Sequence, residues 1–265
     1  HDTTNSIKFS IDGDGEAYFS DRVGIKTTAP EEVLDLGNDT QMNLKIGGRG
    51  YIGQAYSTAA TILGHSVKAK TTGTTSGGMI VTETNSGGGA PSALRMQSGS
   101  IEFHTAASGT QDADFNSNER MRIDSSGRLL IGHTSSLAAA SGSVAFSLQV
   151  VGTGFATSTI NNQRYEDGQS GASILLNHSR GSVGNHTILI TNDELGKIRF
   201  YGSDGNDFDN YGAEILAEVD ASPGNNAMPG RLIFKTTTTG GATPAERFRI
   251  DSQGRVKIAG VDATI

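Results

Sequence analysis

Cysteine is missing from all 265 residues, which excludes a disulfide scaffold and any thiolate metal site. Tryptophan is missing as well, and aromatic residues reach only 6%, so a thick private core has little to be built from. Charged residues make up 18%, below the roughly 25% of an ordinary soluble domain, which sets the chain apart from charge-rich disordered tails. The net charge is −7 with no run of Lys and Arg, and a groove for nucleic acid is not expected. No long apolar stretch occurs, so no membrane insertion is expected either. After His1 there is no basic segment leading into an apolar one, and no signal peptide is expected within the sequence. Helix signals are nearly absent. The best is Pro30-Glu31-Glu32-Val33-Leu34, a single turn at most, with proline in the first turn and acids at the positive end of the dipole.

What the chain does have is glycine, 36 residues of it, and a repeat. Three segments align without gaps: Phe9-Ser-Ile-Asp-Gly-Asp-Gly-Glu-Ala-Tyr-Phe19, Met121-Arg-Ile-Asp-Ser-Ser-Gly-Arg-Leu-Leu-Ile131 and Phe248-Arg-Ile-Asp-Ser-Gln-Gly-Arg-Val-Lys-Ile258. The last two share a longer match that opens with Glu119-Arg120 and Glu246-Arg247. Alternation places Phe248 and Ile250 on one face and Arg247 and Arg249 on the other, then resumes at Val256 and Ile258, which is the pattern of a β-hairpin. At the turn, Asp12, Asp124 and Asp251 are placed to bond the backbone, and Gly15, Gly127 and Gly254 to supply a positive φ. Hairpins are therefore expected over 6–20, 119–133 and 246–260.

The copies start at 9, 121 and 248, intervals of 112 and 127 residues, too long and too uneven for a solenoid. Modules of different size fill the intervals. Residues 1–40 are read as the first hairpin and connector, and 41–100 as a Gly/Thr/Ser-rich β module. Residues 101–152 form the second hairpin and connector, 153–245 a β module, and 246–265 the third hairpin. Ile101-Glu-Phe-His-Thr105 and Ile233-Phe-Lys-Thr236 precede the second and third hairpins in like manner. Apolar pieces follow the first two, at Val33-Leu34-Asp-Leu36 and Leu148-Gln-Val150-Val151. Residues 71–90 are close to low complexity, with Met79-Ile-Val81 their only apolar content, and short strands are expected at 174–176, 187–190, 197–200, 213–219 and 231–235. The fold class is all-β with almost no helix.

Short strands with few aromatics expose edges and bury little, and association of identical chains would cover both deficits. Phe9, Met121, Phe248 and the neighbouring isoleucines are expected to pack toward the axis of such an assembly or on an adjacent chain. At this point the sequence resembles a known family. Glu119-Arg-Met-Arg-Ile-Asp-Ser-Ser-Gly-Arg-Leu-Leu-Ile-Gly132, its copy at 246–260, and Val23-Gly-Ile-Lys-Thr-Thr-Ala-Pro30 are similar to repeats of bacteriophage tail fibre proteins, especially those of phages of marine bacteria and cyanobacteria. So is the stretch from Leu195-Gly-Lys-Ile-Arg-Phe-Tyr201 through Met228-Pro-Gly-Arg-Leu232 to Ile250-Asp251. The resemblance implies an elongated, intertwined homotrimeric fibre of hairpin repeats and small β modules. It would be carried on the virion tail, assembled in the host cytoplasm and extracellular when mature. Its partners would be itself, other virion tail proteins and a host cell-surface glycan or outer-membrane protein. Members of the family often end in a self-cleaving chaperone domain, and a chain ending soon after its third hairpin is expected to be a piece of a fibre or a processed one.

Candidate sites are few. His1, His65, His104, His133, His178 and His186 form neither His-x-His nor His-Glu-x-x-His, so no metal or cofactor is assigned. Asp12, Asp14 and Glu16, and Asp204, Asn206, Asp207 and Asp209, are spaced like calcium-loop residues without the distal Glu, and turn chemistry explains both groups. A depolymerase spike would need two carboxylates flanking a sugar bond, with Asp207, Asp209, Glu214, Glu218 and Asp220 as candidates; a solvated strand face accounts for the last three. The chain is read as non-catalytic, with a depolymerising tailspike or a bacterial trimeric adhesin as alternatives. Arg120, Arg122, Arg247 and Arg249 are read as ion-pair partners that fix register across strands or chains. Tyr201, Asp207, Phe208 and Tyr211 are the candidate receptor contacts.

Overall fold

The computed structural model describes residues 9–11, 17–19, 23–24, 34–35, 43–55, 60–70, 78–86, 89–138 and 145–259. They are almost entirely β, with two short 3-10 turns at Asn116–Asn118 and Phe155–Thr157 and no α-helix among the described residues. The chain divides into two compact units, His1–Ser135 with Ser147–Ser158, and Ser136–Phe146 with Thr159–Ile265.

In the first unit, β1 (Phe9–Ile11) and β2 (Ala17–Phe19) form an antiparallel pair, and β3 (Val23–Gly24) runs parallel to β4 (Leu34–Asp35). The expected first hairpin is thus present as a strand pair. Its turn, with Asp12 and Gly15, lies outside the described residues. So does most of the expected turn at Pro30–Leu34, whose last residue belongs to β4.

The main sheet has eight strands. They are β5 (Asn43–Ile46), β6 (Gly50–Gln54), β7 (Thr61–His65), β11 (Ser92–Gln97), β12 (Ser100–Thr105), β14 (Glu119–Ile123), β15 (Leu129–Ile131) and β16 (Leu148–Val150), in that spatial order. All neighbours are antiparallel except β15 and β16, because the connector after the hairpin returns the chain to the end it came from. Two small pairs lie outside the sheet, β8 (Val67–Ala69) with β9 (Met79–Val81) and β10 (Asn85–Ser86) with β13 (Ser108–Gly109). β8 and β9 carry Val67, Ala69, Met79 and Val81 into a core with Ile62, Ala93 and Phe115, which covers one face of the sheet.

The second unit is a five-stranded antiparallel meander: β17 (Glu194–Tyr201), β18 (Tyr211–Val219), β19 (Gly230–Thr236), β20 (Ala245–Ile250) and β21 (Val256–Ile258). Expected strands at 197–200, 213–219 and 231–235 fall inside these elements. Those at Ile174–Leu176 and Thr187–Ile190 do not form, and no strand occurs between Val151 and Asp193. An apolar triplet satisfies the pattern of a strand, but a strand also needs a neighbour to bond, and this segment has none among the described residues.

Candidate functional site

The second and third hairpins are built by the same hydrogen bonds. Asp124 Oδ1 accepts from the backbone N–H of Ser126 at 2.9 Å and of Arg128 at 3.0 Å, while Asp251 Oδ1 accepts from Gln253 at 3.0 Å and Arg255 at 2.9 Å. Gly127 N–H donates to the Asp124 carbonyl and Gly254 N–H to that of Asp251, closing three-residue loops in which the glycines hold φ of +76° and +77°. The following arginines fold back, with Arg128 Nε and Arg255 Nε each 2.7 Å from the Oδ2 of the turn aspartate. The backbone N–H donors and Arg128 hold the Asp124 carboxyl below its usual range. For Asp251, burial pushes upward but Arg255 and the turn N–H groups outweigh it.

Upstream of each turn the strand carries one residue too many. β14 pairs His104 with Glu119 and Phe103 with Met121, leaving Arg120 opposite nothing. β20 pairs Lys235 with Glu246 and Phe234 with Phe248, leaving Arg247 unmatched. These are β-bulges, and each bulged arginine reaches back to the neighbouring strand, Arg120 Nε to the Thr105 carbonyl at 3.1 Å and Arg247 to the Thr236 carbonyl at 3.3 Å. The extra residue also turns Glu119 and Arg122 to one face. Arg122 donates to Glu119 at 2.5 and 2.6 Å, and Arg249 to Glu246 at 2.6 and 2.5 Å. The ion pairs expected between strands or chains are thus made first within one strand, across its own bulge.

On the covered face of the eight-stranded sheet, Arg95, Glu102 and Arg122 stand side by side on β11, β12 and β14. Glu102 takes Arg95 Nε at 2.5 Å, Ser100 Oγ at 3.0 Å and Arg122 at 3.2 Å, and His104 Nε2 lies 3.3 Å away. Burial raises the Glu102 pKa, but these donors outweigh it and hold the carboxyl at about 2. Glu102, His104 and Glu119 are close enough to share a metal ion. Both carboxylates are already committed to guanidinium groups, however, and a cation placed there would face Arg95 and Arg122, so the donor set is that of an ion-pair network. The sequence concealed it because Glu102 and His104 alternate with Ile101 and Phe103, and alternation alone puts the apolar pair inside.

The second sheet has a matching charged row, Arg199, Glu214, Lys235 and Glu246, one residue per strand. Glu214 is 2% exposed and lies 2.6 Å from Arg199 and 2.9 Å from Lys235, which corrects its expected place on a solvated face. Burial raises its pKa, and the two cations more than reverse that. Glu218 and Asp220 share Arg231, and Asp220 also accepts from Ser252. All three carboxylates of this stretch are thus tied to cations.

The opposite faces of both sheets are apolar, and no strand or core among the described residues covers them. Leu44, Ile52, Leu63, Leu94, Phe103, Met121, Ile131 and Val150 form one unbroken row across all eight strands of the first sheet. Ile198, Ile215, Phe234, Phe248 and Ile258 do the same across the second. Strand β12 is consequently inverted with respect to its own chain: Ile101 and Phe103 are each 38% exposed, while Glu102 and His104 are 2% and 1% exposed.

The loop between β17 and β18 holds the candidate receptor contacts. Tyr201 and Tyr211 pair at its base with ring centroids 5.4 Å apart, and the Arg199 guanidinium lies 4.6 Å from the Tyr211 centroid. Phe208 is 49% exposed and joins neither ring. Asp204 accepts from the N–H groups of Asn206 and Asp207, and Asp207 from those of the Asn206 side chain and Asp209. The acidic residues of this loop therefore organise its backbone.

No protein-family model and no curated protein matches the sequence. Among solved structures the chain is similar to the carboxy-terminal domain of the bacteriophage T5 L-shaped tail fibre, with a TM-score of 0.47 and 15% identity, over 98% of this chain and 92% of that one. It is also similar to the same domain carrying its intramolecular chaperone domain, with a TM-score of 0.48 and 15% identity, over 98% of this chain and 64% of that one.

Proposed function

We propose that the chain is a structural and host-attachment segment of a bacteriophage tail fibre. It acts without catalysis, as a homotrimer whose apolar sheet faces are turned toward one another. The inversion of β12 carries this reading. Two charged or ionisable residues are buried on the side the chain covers itself, and Ile101 and Phe103 are left on the side it does not. A lone folded chain gains nothing by that arrangement. A chain that meets copies of itself buries the apolar row and retains the ion-pair network as its outer wall. The resemblance of the hairpin segments to tail fibre repeats supplies the number three and the place on the virion tail, beside other tail proteins. The loop with Tyr201, Asp207, Phe208 and Tyr211 is the proposed contact with a host surface glycan or outer-membrane protein.

Gold-labelled antibody raised against the purified chain tests the location and is expected to decorate tail fibres of the parent particle; labelling of the capsid alone would overturn it. Incubation with the host's capsular polysaccharide tests the absence of catalysis. Release of new reducing ends would replace the binding reading with that of a depolymerising spike.

A further inference from the structure

Residues 160–175 stand apart from the rest of the second unit. Among the described residues, no backbone N–H or carbonyl in this segment bonds another backbone group, and every one of its residues is exposed. Its side-chain bonds are local: Tyr165 donates to Gln163 Oε1, and Arg164 pairs with Glu166. Apolar side chains are nonetheless concentrated near its ends, with Ile160 67%, Ile174 76% and Leu175 79% exposed, and Tyr165 is 90% exposed.

The segment leaves the sheet at a defined place. His178 Nδ1 lies 2.7 Å from the Glu194 carbonyl, and Arg180 grips Asp193 at 2.6 and 2.9 Å. Leu176 packs over Gly196, where an added Cβ would come within 2.7 Å of it. Gly196 is followed on the same face of edge strand β17 by Ile198 and Phe200, each 53% exposed. The segment therefore departs from the rim of the uncovered apolar face.

We propose that residues 160–175 are an arm exchanged between copies of the chain, with Ile174 and Leu175 seated on a second copy. This rests on the reading that copies assemble through their apolar faces. Three observations select a second copy as the seat. The arm is continuous with the face through which the copies would meet. Sixteen exposed residues present on the order of 1,000 Å², comparable with the ~800 Å² that each partner gives to a stable interface. Unpaired backbone on the arm and on the free side of β17 are also complementary, and a closed ring of identical chains provides one seat for every arm.

Hydrogen–deuterium exchange on the full chain tests this. In the assembled protein the amides of 160–175 are expected to exchange at least tenfold more slowly than in a Phe248→Asp variant that dissociates the assembly. Leu175→Asp is expected to lower the dissociation temperature while leaving the amides of β18 and β19 as protected as before, and Ser170→Asp to do neither. Fast exchange of the arm in an intact assembly would overturn the arm and leave the assembly standing. Equal protection in assembled and dissociated protein would show the arm packed on its own chain, which also overturns it. A wild-type chain that never assembles would remove the parent reading and the arm together.

Discussion

Gly127 and Gly254 hold left-handed φ values with nothing within 4 Å of where a Cβ would lie, so the backbone, not crowding, demands glycine there. Gly254→Val is expected to cost about 1–2 kcal/mol, Gly254→Asn only a fraction of that because Asn tolerates the left-handed region, and Gly202→Val almost nothing. Urea midpoints of the three variants check the order. Glu102 sets a different condition. Its folded pKa of about 2 lies below the ordinary 4.5, so its ion pairs contribute fully above pH 4.5 and are lost as pH falls toward 2. Stability of the first unit is therefore expected to drop between pH 5 and pH 2.5. Glu102→Gln should be less stable at neutral pH and lose that part of the slope. Glu102→Ala removes the carboxylate that Arg95 and Arg122 share, leaving Arg122 its bonds to Glu119 and Arg95 its bond to Asn116, and is expected to cost roughly 2–3 kcal/mol. A wild-type urea midpoint that stays flat over this interval would contradict the network.

The bulges make their prediction at the level of the strand. Arg247→Ala removes one reach to Thr236 and keeps the backbone count, whereas deletion of Arg247 also removes the carbonyl that accepts from the Ala259 N–H and draws Glu246 and Arg249, still on one face, one position closer together. Deletion is expected to lower the urea midpoint well beyond the alanine variant, and equal effects would mean that the extra residue has no structural part. This element also shows what could be read from sequence. Period-two alternation and the Asp-x-x-Gly spacing located both hairpins, because a turn is a local device whose residues lie together in the chain. The bulge was hidden, since a surplus residue exists only relative to the partner strand. The buried Glu102 and Glu214 were hidden for a related reason: alternation separates two faces but does not say which one the chain covers itself. At Ile174–Leu176 the same alternation suggested a strand for which the described residues supply no partner.

At the scale of the molecule, the eight-residue row from Leu44 to Val150 spans about 34 Å at the usual strand spacing, an apolar strip of the length that marks an interaction surface. In the proposed assembly a copy of the chain, which offers an equally long apolar strip, covers it. Phe103→Asp and Phe248→Asp, each placing a charge in the middle of a row, are expected to break the assembly, while Arg128→Ala and Arg255→Ala on the turns should leave its mass unchanged. Sedimentation equilibrium of the wild-type chain at micromolar concentration tests the account most directly. A single species of three times 27.6 kDa is the predicted result, and a folded, stable species of 27.6 kDa would contradict it.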